Sequence, residues 1–123
     1  MNIQVFLLIL SSVGLSVLAQ VTLKYGMSQP TIQMALGQGG LTAAWLVISN
    51  MYILLGLFMY GCGAMLWLLV LARLDVSVAY PFVGLGFILT MLLGFFVLGE
   101  SVTPMRVVGT LLITAGVVLV SLT

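Results

Sequence analysis

Ser12, Ser16, Gln20 and Lys24 recur at every fourth position of a segment that is otherwise apolar. On an α-helix this spacing keeps them on one face with a slow drift about the axis, so they form a polar stripe that ends in a positive charge. In hydrocarbon such groups find no partners, and a stripe on a lipid-embedded helix must face another helix or a watery cleft. A structural use stays open beside the functional one. The serines would then allow close helix packing, Gln20 would bond a neighbouring helix, and Lys24 would reach toward the lipid headgroups.

Composition decides where that helix lies. Of 123 residues 63% are hydrophobic and 4% charged, with a mean hydropathy of +1.40, whereas a water-facing surface carries about a quarter charged residues. The chain therefore reads as an all-α membrane protein. A net charge of +1 offers no basic patch for nucleic acid. The single cysteine, Cys62, cannot form an intrachain disulfide and reads as a small apolar packing residue. With no histidine, neither a metal site nor another cofactor is expected. Paired acids and an activated nucleophile are lacking too, so an enzyme is not expected.

Four transmembrane helices must position the stripe, at about residues 3–24, 51–72, 76–98 and 104–122, each near the roughly twenty residues a bilayer requires. The first lacks the basic leader of a secretory signal and is read as a span. Residues 25–40, rich in Gly, Ser, Gln, Pro and Thr, are expected to form the longest connection, with Ser28-Gln29-Pro30 interrupting any helix. Residues 41–48, with Trp45, read as a short interfacial helix or an early, tilted extension of the second span, with a break near Ser49-Asn50. Gly56, Gly61 and Gly63 thin the second span so that a neighbour can come close. Pro81, Gly84 and Gly86 are expected to bend the third, and Tyr80 is the polar aromatic best placed to face the stripe from it. Thr103-Pro104 reads as a cap and first residue of the fourth span. Gly109 and Gly116, seven residues apart, share a face there, which suits a dimer contact or an intramolecular one equally.

A bundle of four such helices fills its own centre, so a substrate cleft is expected to form more easily between two copies. Arg73 falls on the side of both termini, in a tight hairpin with Asp75, and Lys24 and Arg106 fall on the other. That bias is too small to fix orientation, and an antiparallel homodimer is allowed.

Across nearly the whole chain, the four spans, Ala79-Tyr80 and the Gly109 to Gly116 spacing resemble the small multidrug resistance branch of the drug/metabolite transporter superfamily, an EamA-like four-helix architecture. Ser16 to Lys24, Trp67 to Leu71, Ala79-Tyr80-Pro81 and Glu100 with Pro104 resemble, more narrowly, flippase subunits for 4-amino-4-deoxyarabinose on undecaprenyl phosphate. The resemblance implies a multi-pass protein of the bacterial inner membrane that moves a polyprenyl-phosphate-linked sugar or related anionic lipid between leaflets, as a homodimer or with a related subunit. One departure separates the branches. Drug exporters of this kind keep a glutamate within the first helix for proton exchange against cations, and the matching stretch here offers Ser16. A buried carboxylate is what would attract a cation and titrate on its release. Lys24 and Arg106 instead suit a phosphate, as a point charge and a bidentate fork. A proton-coupled cation exporter and a non-transporting accessory subunit of a membrane glycosyltransferase are the alternative readings.

Overall fold

The computed structural model describes residues 2–123. Helix α1 (Ile3–Met27) starts where the Asn2 side chain accepts a hydrogen bond from the Val5 N–H at 2.9 Å, satisfying one of the donors that a helix start leaves open. It stops before Gln29, whose backbone is held extended (ψ 137°) because the ring of Pro30 disfavours helical geometry in the residue before it. The connection expected over residues 25–40 contains a helix of its own after the interruption at Ser28-Gln29. Pro30 opens α2 (Pro30–Gln38), at the position where its missing N–H costs nothing. Gly39 and Gly40, at φ 71° and 79°, then turn the chain into α3 (Gly40–Ser49), a conformation that glycine adopts without strain.

Asn50 separates α3 from α4 (Met51–Leu71), its Oδ1 accepting from the N–H groups of Tyr52 at 2.9 Å and Ile53 at 3.2 Å. The excursion through α2 and α3 returns to where it left. Asn50, Tyr52 and Ile53 crowd the position of Gly26 near the end of α1, and the rings of Tyr25 and Tyr52 meet edge to face with centroids 4.7 Å apart.

The third span, Val76–Phe96, is composite. Helix α5 (Val76–Ala79) passes through a 3₁₀ turn at Tyr80–Gly84 into α6 (Leu85–Phe96). Pro81 sits early in that turn, where tighter winding accommodates a residue that would break an α-helical ladder. Thr103 caps α7 (Pro104–Ser121), its Oγ1 accepting from the Arg106 N–H at 3.2 Å. Among the described residues, four helices are thus long and apolar enough to cross a membrane.

Helix α1 lies at the centre. One face packs along α4, where small residues set the distance. A Cβ on Gly56 would stand 2.7 Å from Leu23 Cγ and 3.2 Å from the Ala19 carbonyl, and one on Gly63 would stand 3.0 Å from Ser16 Oγ. Such close approach gains dispersion where lipid tails remove any hydrophobic drive for helix pairing. The other face carries Val5, Ile9, Val13 and Val17 at every fourth position, buried with Val70, Ala79, Phe82 and Val117. A Cβ on Gly86 would come within 3.0 Å of Val13, and one on Gly84 within 2.8 Å of Ile113 on α7. Two glycines two residues apart therefore let α1 and α7 grip the third span from different sides. Most large apolar side chains outside these seams, such as Leu57, Phe58, Leu111 and Leu112, are exposed, as a lipid-facing surface requires and a water-facing one does not tolerate.

Gly56→Leu should lower the stability of the purified protein in detergent by about 1–3 kcal/mol, the usual cost of overpacking. Gly61→Leu should leave it nearly unchanged, since nothing lies within 4 Å of that position. Thermal unfolding of both variants checks the pair.

Candidate functional site

Because α4 and α6 both pack on α1 but scarcely touch each other, a cleft opens between them with α1 as its floor. Its volume is about 500 Å³, at the lower end of the range of small-molecule sites. A cleft was expected to form more easily between two copies; one chain already makes this one, because α4 and α6 stand apart. From α1 come Ser12, Ser16 and Gln20, and from the third span Tyr80, Gly86 and Thr90. Tyr60 and Trp67 line it from α4, and Phe87 from α6.

The polar groups are graded along α1. Ser12 is buried, 2% exposed, and its hydroxyl donates to the Gly63 carbonyl on α4 at 2.8 Å. That bond pins the two helices, so the proton of Ser12 is already committed and only its oxygen remains to accept. Ser16, half-buried, and Gln20, exposed, stand on the same wall. Lys24, also exposed, is absent from the lining and stands one turn beyond Gln20. The cause is helical drift. A spacing of four advances the stripe by roughly 40° per step, so Lys24 has rotated about 120° from Ser12. Arg106 lies apart as well, in a second pocket between α6 and α7 with Glu100.

Sequence reasoning reached Ser12, Ser16, Gln20 and Tyr80 and did not assign Tyr60, Trp67, Phe87 and Thr90 to the wall. A signal existed. Tyr60 and Trp67 are seven residues apart, as are Tyr80 and Phe87, a spacing that returns to one helix face. In uniformly apolar spans no polar contrast marks that face.

Among the described residues, no ionised side chain lines the cleft. Its chemistry is that of uncharged hydrogen-bonding groups alternating with aromatic faces, which solvate hydroxyls and ring C–H surfaces without attracting a net charge. Of the remaining expectations, Pro81, Gly84 and Gly86 fall in or beside the 3₁₀ turn. Gly109 and Gly116 on α7 have nothing within 4 Å of a Cβ position, so neither is spent on close packing inside the chain.

The sequence profile described as the EamA-like transporter family matches residues 2–122. The probable 4-amino-4-deoxy-L-arabinose-phosphoundecaprenol flippase subunit of Pseudomonas savastanoi pv. phaseolicola is 37% identical over 114 residues, 91% of this chain and 92% of that protein. Its namesake from Pseudomonas fluorescens is 36% identical over 115 residues, 94% and 95% of the two chains. Another from an Enterobacter species is 41% identical over 68 residues, 55% of this chain and 64% of its own. No solved structure matches.

Ser12→Ala should cost about 0.6 kcal/mol, the average for an interhelical hydrogen bond within a membrane. Ser16→Ala should leave stability unchanged. Reversible unfolding of both variants in mixed micelles measures the difference.

Proposed function

The chain belongs to the EamA-like transporter family, and from that premise we propose that it moves the headgroup of a polyprenyl-phosphate-linked sugar across the bacterial inner membrane. The observation that carries the reading is the uncharged, aromatic-lined cleft between α4 and α6. Relatives covering most of the chain are named as flippase subunits for such a lipid.

The physical obstacle to flipping is desolvation of the headgroup. Each amide-like or hydroxyl group taken into hydrocarbon without a partner costs roughly 4–8 kcal/mol on an alkane scale, and about 1–3 kcal/mol by protein measurements. Ser16, Gln20, Thr90 and the Tyr80 hydroxyl replace water for the sugar, while Trp67 and Tyr60 offer flat faces to its C–H surface. Ser12 contributes as an acceptor and by holding α1 on α4. The apolar tail stays in the bilayer, because the cleft opens sideways between two helices that do not close on each other. Lys24, one turn beyond Gln20, meets the phosphate at the mouth, where the ammonium remains hydrated.

A cation exporter needs a carboxylate in its path, and the lining contains none. The relatives are named as subunits, and a second copy or a related chain would pack beside this one and leave the sideways opening to the lipid. Gly116, exposed on α7 with no atom of the described residues within 4 Å of a Cβ position, marks a face of small residues where that contact would form.

In liposomes carrying a labelled polyprenyl-phosphate sugar, Gln20→Leu should slow flipping about tenfold, the equivalent of one hydrogen bond of about 1.4 kcal/mol. Lys24→Met should weaken capture of the phosphate, and Arg73→Met, in the far hairpin, should have no effect. Transport unchanged by Gln20→Leu but lost with Arg73→Met would place the path elsewhere. A proton gradient should also fail to drive uptake of a lipophilic cation such as tetraphenylphosphonium. Robust gradient-dependent uptake would refute the lipid reading.

A further inference from the structure

Helices α2 and α3 leave the bundle beside Gly26 and return to it at Asn50, which crowds the same position. No charged residue occurs between Lys24 and Arg73. At both ends of this excursion, uncharged polar side chains turn inward onto the backbone. Ser28 Oγ donates to the Lys24 carbonyl at 2.7 Å, Gln33 Nε2 to the Met27 carbonyl at 2.6 Å, and Ser49 Oγ to the Trp45 carbonyl at 2.7 Å. Water would supply such partners to a helix end, whereas hydrocarbon supplies none, so satisfaction from within is what a water-poor surrounding demands.

The outward groups of α3 are apolar. Leu41 is 89% exposed, Trp45 66% and Ile48 57%. At the helical turn per residue these three fall within about 60° of one another, while Ala43, Leu46 and Val47 form the inward side, buried or half-buried. Between the two sides lies a narrow polar flank with Thr42 and Ser49. A helix apolar on nearly all sides belongs inside a core or inside a membrane, and the exposure of Leu41, Trp45 and Ile48 excludes the core of this chain. Its ten residues extend about 15 Å, half of the roughly 30 Å hydrocarbon layer, so α3 can enter one leaflet and cannot cross both. The exposed apolar surface runs on past Asn50 into Met51, Leu54 and Leu55 of α4, a span whose outer side is solvated by lipid.

We infer that the α2–α3 hairpin docks on the membrane itself, in the leaflet at the Lys24 end, with the Leu41, Trp45 and Ile48 face at the boundary between headgroups and acyl chains. Trp45 suits that depth, because indole joins a large apolar ring to one N–H donor. Surface helices commonly hold to membranes through Lys and Arg attracted to anionic headgroups. This hairpin has neither, so it binds by burial of apolar area and is indifferent to lipid charge. The inference goes beyond transport and does not depend on what the cleft carries. Since α2 follows directly on α1, the docked hairpin sets the depth at which the end of α1 stands.

The test is nitroxide accessibility in the full-length protein, with Cys62→Ala removing the native thiol, in vesicles of phosphatidylcholine and again with phosphatidylglycerol added. Labels at Leu41→Cys and Ile48→Cys should collide with oxygen, which concentrates in lipid, as often as labels at Leu57→Cys and Phe58→Cys on α4. They should rarely meet a water-soluble nickel complex, and a label at Gln38→Cys, beside the Gly39 turn, should show the reverse. Neither phosphatidylglycerol nor high salt should change the pattern. Trp45→Asp, which disfavours burial in lipid on the order of a hundredfold, should turn the Leu41→Cys label toward nickel, and Trp45→Leu should not. The fluorescence that Trp45→Leu removes checks the seat without labels, since bromine on the acyl chains should quench it and iodide in water should not.

Nickel access at Leu41→Cys and Ile48→Cys equal to that at Gln38→Cys would place α3 in water. Low access to both oxygen and nickel would mean that a protein covers it. Either result overturns the inference, as does a seat that forms only with phosphatidylglycerol or fluorescence that iodide quenches more than brominated lipid does.

Discussion

The close approach of α1 to α4 is the contact on which the rest of the molecule depends. Gly56 and Gly63 bring the two backbones together, and the Ser12 hydroxyl locks the seam to the Gly63 carbonyl. Lipid tails are as apolar as the side chains they would replace, so dispersion at short range and interhelical hydrogen bonds must hold the helices. Once α1 is fixed to α4 on one face, its valine face is left for the third span. Gly86 lets α6 settle there, while α4 and α6 stay apart. The cleft is what remains between them.

That arrangement reconciles two demands that conflict in a membrane. A headgroup needs polar partners at mid-depth, yet uncommitted polar groups are expensive in hydrocarbon. The stripe on α1 answers by grading its commitment. Ser12 is satisfied within the protein, Ser16 and Gln20 are available, and Lys24 stays near water. The 3₁₀ turn at Tyr80–Gly84 complements this by re-aiming Tyr80 and the α6 wall, at a place where proline has already broken the α-helical ladder.

Much of this was legible in the sequence, because hydrophobic length and polar spacing are local signals. The spans, the break before Pro30, the Asn50 boundary and the Thr103 cap follow from residue chemistry alone. So does the face shared by Ser12, Ser16 and Gln20. What escaped depends on how helices are placed. The helical character of residues 30–38 was hidden by Gly, Gln and Pro, which read as loop although proline also starts helices. The contribution of Tyr60, Trp67, Phe87 and Thr90 to the wall required knowing that α4 and α6 diverge. Bringing Arg106 and Glu100 to one pocket required the reversal at Gly99, at φ 69°, between the end of α6 and the start of α7. Helical drift sets Lys24 outside the lining of the cleft, one turn beyond Gln20.

The central claim is that the headgroup travels against α1 between α4 and α6. The most direct measurement is photocrosslinking of the full-length protein in native membrane vesicles, using a polyprenyl-phosphate sugar with a photoreactive group on the sugar, and mapping adducts by peptide mass spectrometry. The account predicts adducts on Tyr60, Trp67 and Tyr80 that unlabelled lipid abolishes. Adducts confined to outward residues such as Leu111, Leu112 and Leu119, or adducts that unlabelled lipid leaves unchanged, would contradict it.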